Sequence, residues 1–268
     1  GRRSFTRMAF PRPMAFALQG ASVNPSHERQ VAQIPIRRIH PLALALLLAF
    51  VPSGALMAQP CVEGIAKCIT EPAGGDCASI GTWKAATRTC TLSADLEGKA
   101  IQIAGDDITL DGNGHALMGM PVDGVPQPFG IYIEQRSGVT VRNLAIREFQ
   151  VGIELRSSFR CTLASNTVGE NKRAGIEMLE SNDNRIEKNT VSTAGDGILL
   201  KASANNVLDG NLVEWNRNSG ILLNMGSTGN TVSKNTARLN AGGIALGGGS
   251  SRNSLRDNDV TGNAHLGI

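Results

Sequence analysis

The sequence predicts an all-β fold, a parallel β-helix in which the chain winds through coils of about 23 residues. Three observations predict it. A Gly-Ile step returns at a nearly fixed interval after residue 129, short alternating apolar runs follow each step, and asparagines recur between the runs. Three short strands in a coil of about 23 residues leave no room for the helix of a leucine-rich or ankyrin repeat.

The Gly-Ile step marks the first strand of each coil. It recurs at intervals of 22 to 24 residues, at Gly130, Gly152, Gly175, Gly197, Gly220, Gly243 and Gly267. In runs such as GIELR and GILLK the isoleucine and the residue two positions later are apolar. This period of two indicates a strand with one buried face, so we expect stacked isoleucines inside and alternate side chains facing outward.

Columns of asparagine follow the second strand of each coil. The predicted ladder contains Asn143, Asn166, Asn189, Asn211, Asn235 and Asn258, and a partial column contains Asn171, Asn216, Asn240 and Asn263. Asparagine tolerates the left-handed backbone of sharp corners, and amides stacked about 4.8 Å apart can hydrogen-bond along a column. Cys161 stands where the next coils place Asn184 and Asn206, so we interpret it as a small buried residue and not as a nucleophile.

The first 58 residues are predicted to be a leader and signal peptide. Basic residues precede the apolar stretch Leu42 to Val51, and small residues lead to Ala58. The apolar stretch is too short for a membrane span, and a buried helix is the alternative. We therefore expect a secreted, periplasmic or cell-surface protein without a stable membrane span. Residues 1–40 carry seven arginines, which leaves the rest slightly acidic and predicts no nucleic-acid partner.

Four cysteines lie in residues 59–100, which are predicted to form an N-terminal cap: Cys61, Cys68, Cys77 and Cys90. They allow three pairings; we favour Cys61 with Cys68 and Cys77 with Cys90 because each pair closes a short loop. Zinc is the weaker alternative, since no Cys-x-x-Cys spacing or nearby histidine is present. The β-helix is expected over residues 101–268 with a loop at 116–129. Because Gly267-Ile268 opens another coil, we expect further coils after it.

The stretches ITLDGNGHALMG and GTWKAATRTCTLSADL, together with the repeat, resemble exported right-handed parallel β-helix proteins of the NosD and carbohydrate-binding/sugar-hydrolase type. The resemblance covers roughly residues 75–268 and implies the fold more specifically than the function. Relatives include polysaccharide lyases, hydrolases, epimerases, surface-layer proteins and NosD proteins associated with copper delivery. The polygalacturonase motifs and the Asp-Pro-His-Asp of an alginate-type epimerase are absent here, so no catalytic residue is carried over.

Two outward rows of the first strands carry the best polar cluster. The first row is Tyr132, Glu154, Glu177, Leu199, Leu222 and Ala245, and the second is Glu134, Arg156, Leu179, Lys201, Asn224 and Gly247. Glu154 and Glu177 would lie one coil apart, about 4.8 Å by the strand spacing. Such carboxylates can act as acid and base on a glycosidic bond or hold Ca²⁺, and a salt-bridged surface is the alternative.

Weaker candidates lie outside this cluster. Asp196 precedes Gly197 at a turn, where an aspartate either acts as an acid or caps backbone amides. Trp215 could stack on a sugar ring or be a partly covered turn aromatic. His115, Met118 and Met120 offer soft ligands for copper(I), although packing explains them more simply.

The sequence therefore predicts first a polysaccharide-binding or cell-surface structural module, with Tyr132, Arg156, Lys201 and Trp215 as ligand-binding residues. The alternative is a polysaccharide lyase, hydrolase or epimerase acting on a uronic-acid glycan through Glu154, Glu177 and Asp196. NosD-like copper delivery is the third hypothesis. The short turns after residue 130 favour binding, because an enzyme of this shape needs loops that wall a cleft.

Overall fold

The protein is described here by a computed structural model that covers residue 61 and residues 66–268. The predicted leader and signal peptide lies outside the described residues. The described chain is a parallel β-solenoid of three sheets, as the repeat predicts. No helix in this part of the chain is long and apolar enough to cross a membrane.

The first sheet contains one strand from every coil, and the strands are numbered along the chain. Its eight strands are β1 (Ala66–Ile69), β5 (Ala100–Ile103), β8 (Phe129–Glu134), β11 (Val151–Arg156), β14 (Ala174–Leu179), β17 (Asp196–Lys201), β20 (Ser219–Asn224) and β23 (Gly242–Leu246). All neighbours in this sheet are parallel, and isoleucines pair with isoleucines from coil to coil.

The other two sheets consist of shorter strands. The second sheet contains β2 (Gly81–Lys84), β3 (Thr89–Leu92), β6 (Thr109–Asp111), β9 (Thr140–Arg142), β12 (Thr162–Ala164), β15 (Arg185–Glu187), β18 (Val207–Asp209), β21 (Thr231–Ser233) and β24 (Ser254–Arg256). The third contains β4 (Leu96–Glu97), β7 (Ala116–Met118), β10 (Ala145–Arg147), β13 (Thr167–Gly169), β16 (Thr190–Ser192), β19 (Leu212–Glu214) and β22 (Thr236–Arg238).

The cysteine-bearing segment is built into the start of the solenoid. β1 already pairs with β5 in parallel, and β3 pairs with β6, while β2 and β3 form an antiparallel pair. Two short 3-10 helices, Gly75–Ser79 and Ala85–Thr87, connect these strands. The disulfides join Cys61 to Cys68 and Cys77 to Cys90, as the spacing suggested. The loop expected at 116–129 is shorter than predicted, because β7 and β8 take up its ends.

The core is a column of aliphatic side chains that point inward from all three sheets. Ile153, Ile176 and Ile198 of the first sheet are fully buried and stack in successive coils. The glycine before each isoleucine lies where two coils approach closely. A Cβ at Gly152 would lie 2.7 Å from the carbonyl oxygen of Gly175 in the next coil. The recurrent glycine therefore serves close packing between coils, and the positions do not require a left-handed backbone.

Buried asparagine ladders bind each coil to the next. Nδ2 of Asn189 donates to Leu163 O and to Asn211 Oδ1, and the backbone N–H of Asn189 donates to the same Oδ1. The ladder runs through Asn166, Asn189, Asn211, Asn235 and Asn258. Each buried amide thereby satisfies polar backbone groups of its neighbours.

One predicted ladder position is wrong. Asn143 is exposed, has a φ of 53°, and donates to Asp111 Oδ1 instead of to a neighbouring amide. Leu144 occupies the ladder position of that coil, since its backbone N–H donates to Asn166 Oδ1. Cys161 does lie in the column of Asn184, whose Oδ1 accepts its backbone N–H, and its side chain is buried.

Candidate functional site

The outer face of the first sheet brings the predicted polar row together. Tyr132 of β8 pairs in register with Glu154 of β11, and Glu154 pairs with Glu177 of β14. Leu199 of β17 continues the row after Glu177. The neighbouring row contains Glu134, Arg156, Leu179 and Lys201, also in register. The period-two alternation and the coil length place these side chains as expected.

Both carboxylates of the row are buried, which the sequence did not predict. Glu154 is 1% exposed and Glu177 is 2% exposed, although both project from the outer side of the sheet. Basic side chains cover them. Arg156 and Arg173 are 42% and 47% exposed, so their guanidinium groups lie between the carboxylates and solvent. We call Glu154, Glu177, Arg156, Arg173 and Lys201 the charged cluster.

The ion pairs of the charged cluster connect three successive coils. Arg156 donates through Nε and Nη2 to Oε1 of Glu154, at 3.1 and 2.8 Å. Arg173 lies 3.3 Å from Oε2 of Glu154 and 2.7 Å from Oε2 of Glu177, so one guanidinium bridges both carboxylates. Lys201 Nζ lies 3.0 Å from Oε1 of Glu177. Three positive charges therefore neutralise two negative ones.

Burial dominates the protonation equilibrium of Glu154. Removal from water raises the pKa of Glu154, and the nearby charge of Glu177 raises it further, while the hydrogen bonds from Arg156 and the charge of Arg173 oppose the change. The same contact raises the pKa of Arg156, because its hydrogen bond to Glu154 stabilises the charged guanidinium. Glu154 thus takes up a proton at a higher pH than an ordinary glutamate.

An aromatic and apolar surface adjoins the charged cluster. The rings of Phe129 and Tyr132 stack with centroids 4.8 Å apart and planes 16° apart. Phe129 also packs against one end of a buried cluster that the outward side chains of Val151, Ala174 and Leu199 form, next to its register partner Val151. Burial, followed by a hydrogen bond to Glu134, raises the pKa of Tyr132, so its hydroxyl stays protonated. The face therefore combines a rigid aromatic pair with half-exposed cationic groups.

Asp196 and Trp215 lie apart from these ion pairs. Asp196 begins β17, and its Oδ1 accepts the backbone N–H of Ser219 at 3.1 Å, which is the capping arrangement that competes with an acid role. Trp215 is 57% exposed at the corner between the third and first sheets, with a φ of 60°. An exposed aromatic plane at a corner is suited to stacking on a sugar ring.

The predicted soft ligands do not converge. Nδ1 of His115 lies 3.1 Å from Asp95 Oδ1, and Met118 Sδ accepts from Nη2 of Arg147 at 2.7 Å. Met120 is 57% exposed in the loop before β8. In the described part of the chain no three His, Cys, Asp or Glu side chains are grouped to hold a metal ion. For Ca²⁺, the oxygens of Glu154 and Glu177 already contact arginine and lysine.

Two residues of the site were missed at the sequence level. Arg173 lies in the corner before β14, four residues before Glu177, and Phe129 is the first residue of β8. The predicted outward rows begin after the Gly-Ile step, so they do not include residues before the glycine. The four-residue spacing of opposite charges was the available signal for Arg173, although its bridge to Glu154 depends on side-chain conformation.

Comparison with known proteins agrees with this architecture. The family described as the right-handed β-helix region matches residues 129–268. The periplasmic alginate epimerase AlgG has a TM-score of 0.50 and 19% identity, covering 64% of this chain and 50% of its own. The Dettilon tailspike protein gp208 has a TM-score of 0.53 and 18% identity, covering 63% of this chain and 40% of its own. The likeness shows a shared fold over half or less of these proteins. No curated protein sequence matches significantly.

Proposed function

The chain belongs to the right-handed β-helix family, and we propose that it binds polysaccharide through the outer face of its first sheet. The ligand-contacting groups are the stacked pair Phe129 and Tyr132, the half-exposed side chains of Arg156 and Arg173, and the less exposed Lys201. Trp215 adds a second aromatic surface at the corner. Aromatic planes pack on sugar rings, and guanidinium and ammonium groups donate to sugar oxygens.

The ion pairing of the two carboxylates is the observation that carries this proposal. Glu154 and Glu177 are almost completely buried, and arginine or lysine contacts their oxygens. A general acid or base must reach the substrate with a free oxygen or proton. Here cations occupy the carboxylate oxygens, and the guanidinium groups of Arg156 and Arg173 remain about half exposed towards a ligand.

Catalysis by a lyase, hydrolase or epimerase is the second candidate. It is favoured by the raised pKa of Glu154, since an acid with a raised pKa beside a second carboxylate is the pattern of glycosidase pairs. It requires that substrate displace Arg156 or Arg173 from Glu154. Copper delivery receives no support from the separated positions of His115, Met118 and Met120.

We further propose that the protein is exported and works in the periplasm, at the cell surface or outside the cell. The support is the signal-like sequence of residues 36–60 together with two disulfides near the start of the described chain. Disulfides persist in oxidising compartments and are rare in the cytosol. Polysaccharides of the envelope are available in each of these locations.

The test uses the whole protein and a panel of neutral and uronic-acid polysaccharides, with and without Ca²⁺. We expect retention on at least one polymer in affinity electrophoresis, with no new reducing ends and no unsaturated product. Tyr132→Leu removes the ring stack and should weaken binding about tenfold. Phe159→Leu is the matched control, because Phe159 is a half-exposed aromatic at the corner after β11 and outside the face.

Two results would contradict the binding proposal. Turnover that is lost in Glu154→Gln or Glu177→Gln would identify an enzyme with its site on this face. Equal retention of the Tyr132→Leu and Phe159→Leu variants would place binding on another surface.

A further inference from the structure

We propose that Arg156 determines the specificity of this face for an anionic group on the polysaccharide, a carboxylate or a sulfate, and that protonation of Glu154 releases Arg156 to bind it. This inference rests on the proposed polysaccharide-binding function. The affinity of this face for an anionic polysaccharide therefore rises on acidification.

The geometry distinguishes Arg156 from the other cations of the charged cluster. Both of its hydrogen bonds go to one oxygen, Oε1 of Glu154. Arg173 has contacts with Glu154 and Glu177, and Lys201 contacts Glu177. Loss of the Glu154 charge therefore removes the carboxylate that accepts both hydrogen bonds of Arg156. Glu134, in register with Arg156 on the preceding coil, is hydrogen-bonded to Tyr132, and Arg173 and Lys201 keep Glu177. Arg156 then presents a planar, half-exposed fork of donors that matches the two oxygens of a carboxylate or sulfate.

Charged and titratable groups face Glu154 from every side of the sheet. Arg156 lies on the same strand, Glu177 and Arg173 belong to the next coil, and Tyr132 and Glu134 belong to the preceding coil. The Tyr132 hydroxyl is hydrogen-bonded to Glu134 and stays neutral. One proton on Glu154 leaves the other charges in place and adds one positive charge to the charged cluster.

The direction of the pH effect follows from burial. A glutamate in water titrates near 4.5, and burial raises the pKa of Glu154 above that value. The protonated form therefore appears at a higher pH than for a glutamate in water, and sulfates keep their charge throughout this range. Linkage is reciprocal, so a bound polyanion must raise the pKa of Glu154 further. A tenfold gain in affinity corresponds to a rise of one unit.

The test compares dextran sulfate, whose charge is constant with pH, with uncharged dextran, at pH 7.5 and pH 5. Polygalacturonate at both pH values distinguishes carboxylate from sulfate as the preferred anion. We expect the wild-type protein to bind the anionic polymer about tenfold more tightly at pH 5. Glutamine resembles the protonated glutamate side chain. The Glu154→Gln variant should therefore bind at both pH values with the higher affinity that the wild type shows at pH 5.

Arg156→Gln should bind the anionic polymers weakly at both pH values. Its matched control is Arg185→Gln, since Arg185 is also about half exposed and pairs with a glutamate two residues away, Glu187, on the second sheet. Arg185→Gln should retain the wild-type affinity and pH dependence. Circular dichroism at both pH values verifies that each variant is folded.

The inference is overturned if Glu154→Gln keeps the wild-type pH dependence, which would assign that dependence to another group. It is also overturned if wild type binds a polysaccharide equally at both pH values, or binds only neutral polymers. In those cases the proposed binding function stands. Failure to bind any polysaccharide of the panel contradicts the proposed function itself, so the two failures are distinguishable.

Discussion

Asn211→Ala is expected to lower the free energy of unfolding by about 4 kcal/mol, because a buried polar group left without a partner costs about 1 to 3 kcal/mol. Oδ1 of Asn211 accepts from the backbone and side-chain nitrogens of Asn189, and its Nδ2 donates to Ile186 O and to Asn235 Oδ1. Alanine removes all four bonds and leaves these groups buried. Urea unfolding followed by circular dichroism measures the change.

Asn143→Ala is the matched control, since Asn143 is exposed and outside the ladder. This substitution should lower the free energy of unfolding by no more than about 1 kcal/mol, mostly because alanine must adopt the left-handed backbone conformation. If the two substitutions destabilise the protein to a similar extent, the buried ladder does not make the large contribution to stability that we expect.

Gly220→Ala is expected to destabilise the solenoid by about 3 kcal/mol, the upper range for overpacking a close-packed interior. A Cβ at this position would lie 2.7 Å from Asn240 Nδ2 and 2.9 Å from the carbonyl oxygen of Gly243. Both atoms belong to the next coil, so the coils must separate or the Asn240 ladder must shift. Thermal and urea unfolding of the variant measure the loss.

Gly242→Ala is the control for this prediction. It lies in the neighbouring coil, and the nearest atom to an added Cβ is Ser219 Oγ at 3.8 Å, an ordinary contact. We expect its midpoint of unfolding to stay close to that of the wild type. If Gly220→Ala is equally well tolerated, the recurrent glycine has a role other than close packing.

The fold was predictable because one spacing repeats through most of the chain. The Gly-Ile step fixes the position of each first-sheet strand, and the constant coil length fixes which side chains stack, so Glu154 and Glu177 could be paired without coordinates. The chain before the repeats is less regular, and there β7 lies within a predicted loop. Periodicity cannot identify a strand of three residues whose sequence does not recur in the other coils.

The error at Asn143 has a similar origin. In the coil of Asn166 the left-handed corner residue is Ser165, and the ladder residue follows it. In the preceding coil asparagine occupies the corner position, and leucine follows. Asparagine suits both positions, one for its backbone and one for its amide, so its presence alone cannot distinguish a corner from a ladder.

The chemistry of the charged cluster was less predictable than its position. The outward rows place Arg156 and Lys201 beside the glutamates, but burial of Glu154 and Glu177 results from how far the basic side chains reach across them. Arg173 enters from a corner that the alternation does not cover. Side-chain conformation thus decides whether the pair is a free acid and base or a neutralised support for cations.

The most direct test of the central claim is chemical footprinting of the whole protein with and without the polysaccharide that it retains. Arginine-selective and lysine-selective reagents, read by mass spectrometry, report which side chains the ligand covers. We predict protection of Arg156, Arg173 and Lys201, with Arg185 and Arg238 of the other two sheets modified equally in both samples. Protection of Arg185 or Arg238 without protection of the first-sheet residues would contradict the account.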